Sequence, residues 1–176
     1  QMCIRDSSDI VRYNNAAAGE TVQVSATTYD MLVLAKEMYN ATGGKYNPAL
    51  FALVDLWGFS PRFTDGVYNR YPQAYDRVYD YANGSYSLPE DKYVCAFSDK
   101  DYIDFAAVGL SADGAYCVTK PTATATVDGV TYTQQIDLGG IAKGYLCDLA
   151  QQILAENDIA DYYLSVGDSS AAFGTY

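Results

Sequence analysis

The stretch Ile136-Asp137-Leu138-Gly139-Gly140-Ile141-Ala142-Lys143-Gly144-Tyr145 places one carboxylate and two glycines where a β-reading segment runs into a long amphipathic helix. Such a pattern suits a phosphate. The first turn of a helix leaves backbone N–H groups unpaired and carries partial positive charge, and glycines let a ligand come close to that backbone. A carboxylate just ahead of the turn suits a divalent ion or a sugar or base hydroxyl. The same residues also read as an ordinary tight strand-to-helix turn capped by Asp137, because a lone glycine pair is a weak motif.

The elements that must position this stretch can be read in order. Ser8 or Asp9 caps a short helical turn to Asn14, a loop follows to Glu20, and Thr21 to Val24 is a β run. Ser25 caps a helix from Ala26 to Ala41, with Met31, Leu32, Leu34, Ala35 and Met38 as its apolar face and Gly43-Gly44 at its end. Asn47 precedes Pro48 and is therefore pushed to extended geometry. A short helix from Ala49 to Leu56 runs into Trp57, the only tryptophan, which is expected to pack in the core. From Ser60 to Ser87 the chain is polar and tyrosine-rich and reads as a surface excursion.

Pro89 at a first-turn position opens another helix to Phe97. Two hairpins follow. Ile103 to Leu110 and Ala115 to Lys120 flank Asp113-Gly114, while Thr124 to Val127 and Val130 to Gln135 flank Asp128-Gly129. The helix after the glycines carries Ile141, Tyr145, Leu146, Leu149, Ala150, Ile153 and Leu154 at helical spacing, a packing face. A strand from Tyr162 to Val166 then enters the small-residue loop Gly167-Asp168-Ser169-Ser170, and residues 171–174 start another strand.

Composition bounds the function. A chain of 176 residues with 49% hydrophobic and 19% charged residues is one globular domain by length. A formal charge of −11 and the absence of histidine argue against nucleic-acid binding by a basic face and against imidazole bases or ligands, which leaves oxygen ligands for any metal. Cys3, Cys95, Cys117 and Cys147 have no zinc or C-x-x-C spacing, and Cys117 and Cys147 are expected as small buried packing residues. No apolar run reaches the roughly 18 residues of a membrane span. Residues 1–7 have no apolar leader region and no methionine at the first position, so they are expected to be a truncated or non-native lead.

Four segments in order resemble the ApbE family of flavin transferases: residues 8–14, residues 42–48 with 53–59, Asp137 to Tyr145, and Val166-Gly167-Asp168-Ser169. The third, Asp-Leu-Gly-Gly-Ile-Ala-Lys-Gly-Tyr, is the specific one. The resemblance implies an incomplete α+β domain over residues 8–176, an ApbE-like fold with a mixed, largely antiparallel sheet and packed helices. It implies Mg2+-dependent transfer of FMN from FAD to a threonine of a partner flavoprotein, with release of AMP. By position, Lys45, Tyr46 and Asn47 match a flavin-contacting loop, Asp137 and Lys143 match FAD-contacting residues, and Gly140 matches a residue whose carbonyl is a magnesium ligand. Asn47 stands where the family usually has aspartate, and Asp168 where it usually has glycine.

The family's D-P-x-T-G segment, source of its side-chain magnesium ligands, is absent from the chain, so the fragment is expected to be inactive and no catalytic residue is assigned within it. The rival expectations are a FAD pyrophosphatase giving FMN and AMP, a non-catalytic flavin-binding protein, and an extracellular interaction domain using the tyrosine-rich excursion. The resemblance also implies an extracytoplasmic parent, periplasmic or at the cell surface, meeting a membrane only through an N-terminal anchor that this chain does not carry.

Overall fold

A computed structural model describes residues 8–57, 79–80, 85–86, 89–166 and 169–174, and only the backbone of 79–80, 85–86 and 169–173. The lead, most of the tyrosine-rich excursion, Gly58-Phe59 and Gly167-Asp168 lie outside the described residues. The chain divides into two compact units, residues 1–137 and 138–176.

In the first unit the helices start where their caps dictate. Helix α1 (Asp9–Asn15) is capped by Ser8, whose Oγ accepts the Val11 N–H, and helix α2 (Ala26–Ala41) by Ser25, whose Oγ accepts the Thr28 N–H. A carboxylate ties the two starts together: Asp9 Oδ2 accepts the Ser25 N–H at 2.8 Å and the Ser25 hydroxyl at 2.7 Å. Along α2, Met31, Leu32 and Ala35 are buried as their spacing requires, whereas Met38 is exposed. Gly43 and Gly44 end the helix with φ of 60° and 79°, a conformation that glycine alone adopts cheaply.

A three-residue 3-10 turn (Pro48–Leu50) leads into helix α3 (Phe51–Leu56), and helix α4 spans Asp91–Phe97. Between these two helices lie the paired strands β2 (Tyr79–Asp80) and β3 (Ser85–Tyr86). Strands β1 (Thr21–Gln23), β4 (Gly109–Ser111) and β5 (Cys117–Thr119) form an antiparallel sheet in the order β1-β5-β4. Strands β6 (Thr124–Val127) and β7 (Val130–Thr133) make a hairpin whose turn residues, Asp128 and Gly129, both have positive φ, as a two-residue turn of this hand demands.

One aromatic cluster forms part of the core of this unit. Ala52, Leu56, Tyr93, Phe97, Tyr102, Ala125 and Val127 are buried together, with Phe97 stacked on Tyr102 and meeting Tyr132 edge-on at 5.3 Å between ring centres. Trp57 does not join it. The ring sits at the C-terminal cap of α3 and is 41% exposed, so the aromatic core role expected of it falls to tyrosines and phenylalanines.

Two strand expectations need correction. Residues 105–107 form a 3-10 turn, because Asp104 Oδ1 caps the Ala106 N–H and Phe105 is buried. Strand β7 stops at Thr133, and residues 134–138 continue without strand pairing. Side chains replace the missing ladder there.

In the second unit, helix α5 (Gly139–Glu156) precedes the antiparallel strands β8 (Tyr162–Val166) and β9 (Ser169–Phe173). Cys147 is buried, whereas Leu149 and Ile153 of the expected packing face are 37% and 52% exposed. Cys117 is half-buried in β5 and Cys95 is exposed. All strand pairings among the described residues are antiparallel, and no helix among them is long and apolar enough to cross a membrane.

Candidate functional site

The loop after α2 is built from its threonine outward. Thr42 Oγ1 donates to the Met38 carbonyl at 2.8 Å and accepts the Tyr46 N–H at 3.0 Å, so one hydroxyl joins the end of the helix to the start of the loop. Asn47 is extended, with φ −140° and ψ 104°, as a residue before proline should be. Its Oδ1 accepts the Ala49 N–H at 2.9 Å and its Nδ2 donates to the Ile103 carbonyl at 3.0 Å. Each bond fixes the amide orientation independently, and a flipped amide would lose both.

This loop meets the opening motif at its start. The Asp137 N–H donates to the Pro48 carbonyl at 2.9 Å. Tyr46 and Asp137 are close enough to interact electrostatically: burial first, and then the Asp137 carboxylate, push the Tyr46 phenol up to about 12. The Tyr46 hydroxyl is buried and has no hydrogen-bond partner among the described residues. A buried donor left in that state costs about 1–3 kcal/mol, a cost that a polar ligand at this point would remove.

Residues 134–136 are held by a polar network that the sequence reading missed. The Asn14 side chain accepts the Ile136 N–H at 2.8 Å and donates to the Ile136 carbonyl at 3.0 Å. Gln134 accepts from Tyr13 and donates to the carbonyls of Tyr102 and Asp104. Lys120, almost wholly buried, donates to the carbonyls of Asn14 and Ala16 and to Thr133 Oγ1, with its ammonium 4.9 Å from the centre of the Tyr13 ring. The legible signal for this network is a set of amides and one lysine at positions surrounded by apolar residues, where an unpaired polar group would be costly.

Of the expected site residues in this unit, the structure brings Tyr46, Asn47 and Asp137 together. Lys45 is exposed on the same loop. Asn47 spends both polar ends of its side chain on the fold.

In the second unit Gly140 is the second residue of α5 and Lys143 the fifth, both exposed. Leu138, not Asp137, is the N-cap residue and its side chain makes no capping hydrogen bond, and the first turn of the helix contains no acid. Lys143 adds positive charge near the positive end of the helix dipole, an arrangement that disfavours the free helix and favours an anion at its start. Helix geometry points the Gly140 carbonyl along the axis toward the following turn. Among the described residues no three His, Cys, Asp or Glu side chains converge as a metal donor set. Those residues do not by themselves build a magnesium site.

Comparison with known proteins adds to this geometry. The family model described as ApbE family matches residues 3–176. A curated FAD:protein FMN transferase of Treponema pallidum (strain Nichols) is 28% identical over 170 residues, covering 97% of this chain and 39% of that protein. Among solved structures, the apo form of the Pseudomonas stutzeri flavinyl transferase ApbE superposes with a TM-score of 0.70 at 19% identity, over 97% of this chain and 43% of that one. The flavin transferase ApbE from Vibrio cholerae superposes with 0.68 at 19% identity, over 99% of this chain and 45% of that one. The chain thus spans less than half the length of each of these relatives. The likenesses establish the fold, α+β with antiparallel pairing and packed helices, and the match of the family model over nearly every residue shows that the chain belongs to the ApbE family.

Proposed function

We propose that this chain is the flavin-nucleotide-handling part of an FAD:protein FMN transferase. The observation that carries the reading is the start of α5, a helix with the apolar Leu138 as its N-cap residue, no acid in its first turn, and Lys143 one turn in. A pyrophosphate supplies the negative charge such a start favours. In the same reading Lys45, Tyr46, Asn47 and Asp137 contact the nucleotide. The Tyr46 hydroxyl donates a hydrogen bond to it, and Asn47 contributes through the loop it holds.

The reaction in this reading is phosphoryl transfer. The acceptor's threonine Oγ forms a bond to the phosphorus of the FMN half, the pyrophosphate P–O bond breaks, AMP departs with the bridging oxygen, and the hydroxyl proton passes to water. Magnesium belongs to the proposal through one oxygen here, the Gly140 carbonyl, with the other ligands supplied by groups outside the described residues.

Titration of the chain with FAD, followed by flavin fluorescence and calorimetry, tests this reading. FAD is expected to bind at least about tenfold more tightly than riboflavin, and Lys143→Glu is expected to remove that difference. Equal affinity for FAD and riboflavin in the parent chain overturns the pyrophosphate assignment. With Mg2+ and a threonine-bearing flavoprotein added to the family's full-length enzyme form, covalent flavin on the acceptor identifies transfer. Free FMN and AMP without an acceptor identify hydrolysis.

A further inference from the structure

We propose that Asn14 is a positioning residue, which sets the direction in which Asp137 presents its carboxylate. The peptide group joining Ile136 to Asp137 is held on both of its polar atoms: its oxygen accepts from Asn14 Nδ2 at 3.0 Å and its N–H donates to the Pro48 carbonyl at 2.9 Å. Two hydrogen bonds on opposite edges fix the plane of a peptide, and that plane sets where the next Cα–Cβ bond points. The second arm of the same amide accepts the Ile136 N–H at 2.8 Å, so Asn14 does for Ile136 what a neighbouring strand does elsewhere. Strand pairing has already ended at Thr133, and this side chain takes its place.

The clamp is itself anchored. The main-chain oxygen of Asn14 accepts from Lys120 Nζ at 3.1 Å and from Gln135 Nε2 at 3.3 Å, and the residue is buried at the end of α1. Its amide therefore reaches Ile136 from a rigid base. The inference rests on the flavin reading only for what Asp137 touches; the geometry of the clamp does not depend on it.

Amide hydrogen exchange resolved by residue, on the whole chain, provides the test, with FAD affinity measured alongside. Asn14→Asp keeps an acceptor for the Ile136 N–H but sets a carboxylate oxygen against the Ile136 carbonyl. The expected result is a split: the Asp137 N–H exchanges at least about tenfold faster, the Ile136 N–H stays protected, and FAD binds about tenfold more weakly. Asn14→Ser, which loses both arms, is expected to speed both amides while the amide of Phe97 in the aromatic core is unchanged.

Asp137 protection equal to that of the parent chain in both variants overturns the proposal. So does loss that extends equally to Phe97, or failure of both variants to fold, since either outcome makes Asn14 a general structural residue. A loosened Asp137 amide with unchanged FAD affinity overturns the link from Asn14 to the ligand. A parent chain that binds no FAD counts against the flavin reading, and the exchange split then decides the clamp.

Discussion

The Nδ2 atom of Asn47 lies 3.0 Å from the main-chain oxygen of Ile103, while Oδ1 of the same amide caps the turn that begins at Pro48. One side chain therefore joins the loop after α2 to a segment 56 residues away. An aspartate would keep the cap but would turn a second carboxylate oxygen toward the Ile103 carbonyl. Asn47→Asp is expected to destabilise the chain by about 1–3 kcal/mol in urea unfolding, and a neutral result would show that the Ile103 contact contributes nothing.

Tyr46 makes the opposite case, since its hydroxyl is buried without a partner among the described residues. Tyr46→Phe is expected to leave unfolding stability unchanged or raised by up to about 1 kcal/mol without ligand, and to weaken FAD binding about tenfold. The phenol also has a pH signature. Its folded value, about 12, lies above the ordinary 10.0, so the folded state holds the proton more tightly and stability falls as the pH rises through that window. Tyr46→Phe should remove its share of this alkaline loss, read as thermal midpoint against pH in the parent and variant.

Acid acts through Asp9. Burial raises its value, but hydrogen bonds from the Ser25 N–H and side chain and the Thr28 side chain, with the Arg12 charge, outweigh that and leave it below the usual aspartate value of 3.8. A depressed carboxylate contributes stability above its unfolded value and loses it as pH falls through the folded one. The thermal midpoint should therefore drop below about pH 4, and Asp9→Asn should start lower at neutral pH and show a shallower acid decline. Parallel acid profiles for the two chains would sink this assignment.

Lys120 reaches three oxygen acceptors with its ammonium, two of them main-chain carbonyls. Lys120→Met fills similar space but withdraws the donors. A loss of about 3 kcal/mol is expected in urea unfolding, together with faster exchange of the Ile136 N–H, because the base of the Asn14 clamp is released.

Much of the fold was legible because local chemistry decided it. Ser8 and Ser25 cap the helices they precede, Gly43-Gly44 end α2, and Asp128-Gly129 turn the β6–β7 hairpin with the dihedrals that pair requires. What escaped was set by distant partners. Nothing near Trp57 says that Phe97, Tyr102 and Tyr132 will fill the core in its place, and nothing near Thr133 says that Asn14 will end the strand's need for a neighbour. In the site, Asp137 and Tyr46 were legible as chemistry. Asn47 was legible as a position, but its bond to Ile103 was not, since that partner appears only after folding.

The reach of the Asn14 clamp has a consequence for synthesis. Its partner, Ile136, lies 122 residues further on, and the Lys120 contact to the Asn14 carbonyl spans 106. At translation rates of about 5–20 residues per second, α1 emerges roughly 6–24 s before the segment that satisfies it. During that interval Ile10, Val11 and Tyr13, all buried in the finished chain, have no completed surface to cover them. The Asp9 tie to Ser25, only 16 residues on, is within reach far earlier than the Asn14 bonds to Ile136, so α1 gains its near contacts and its far ones at different stages of synthesis.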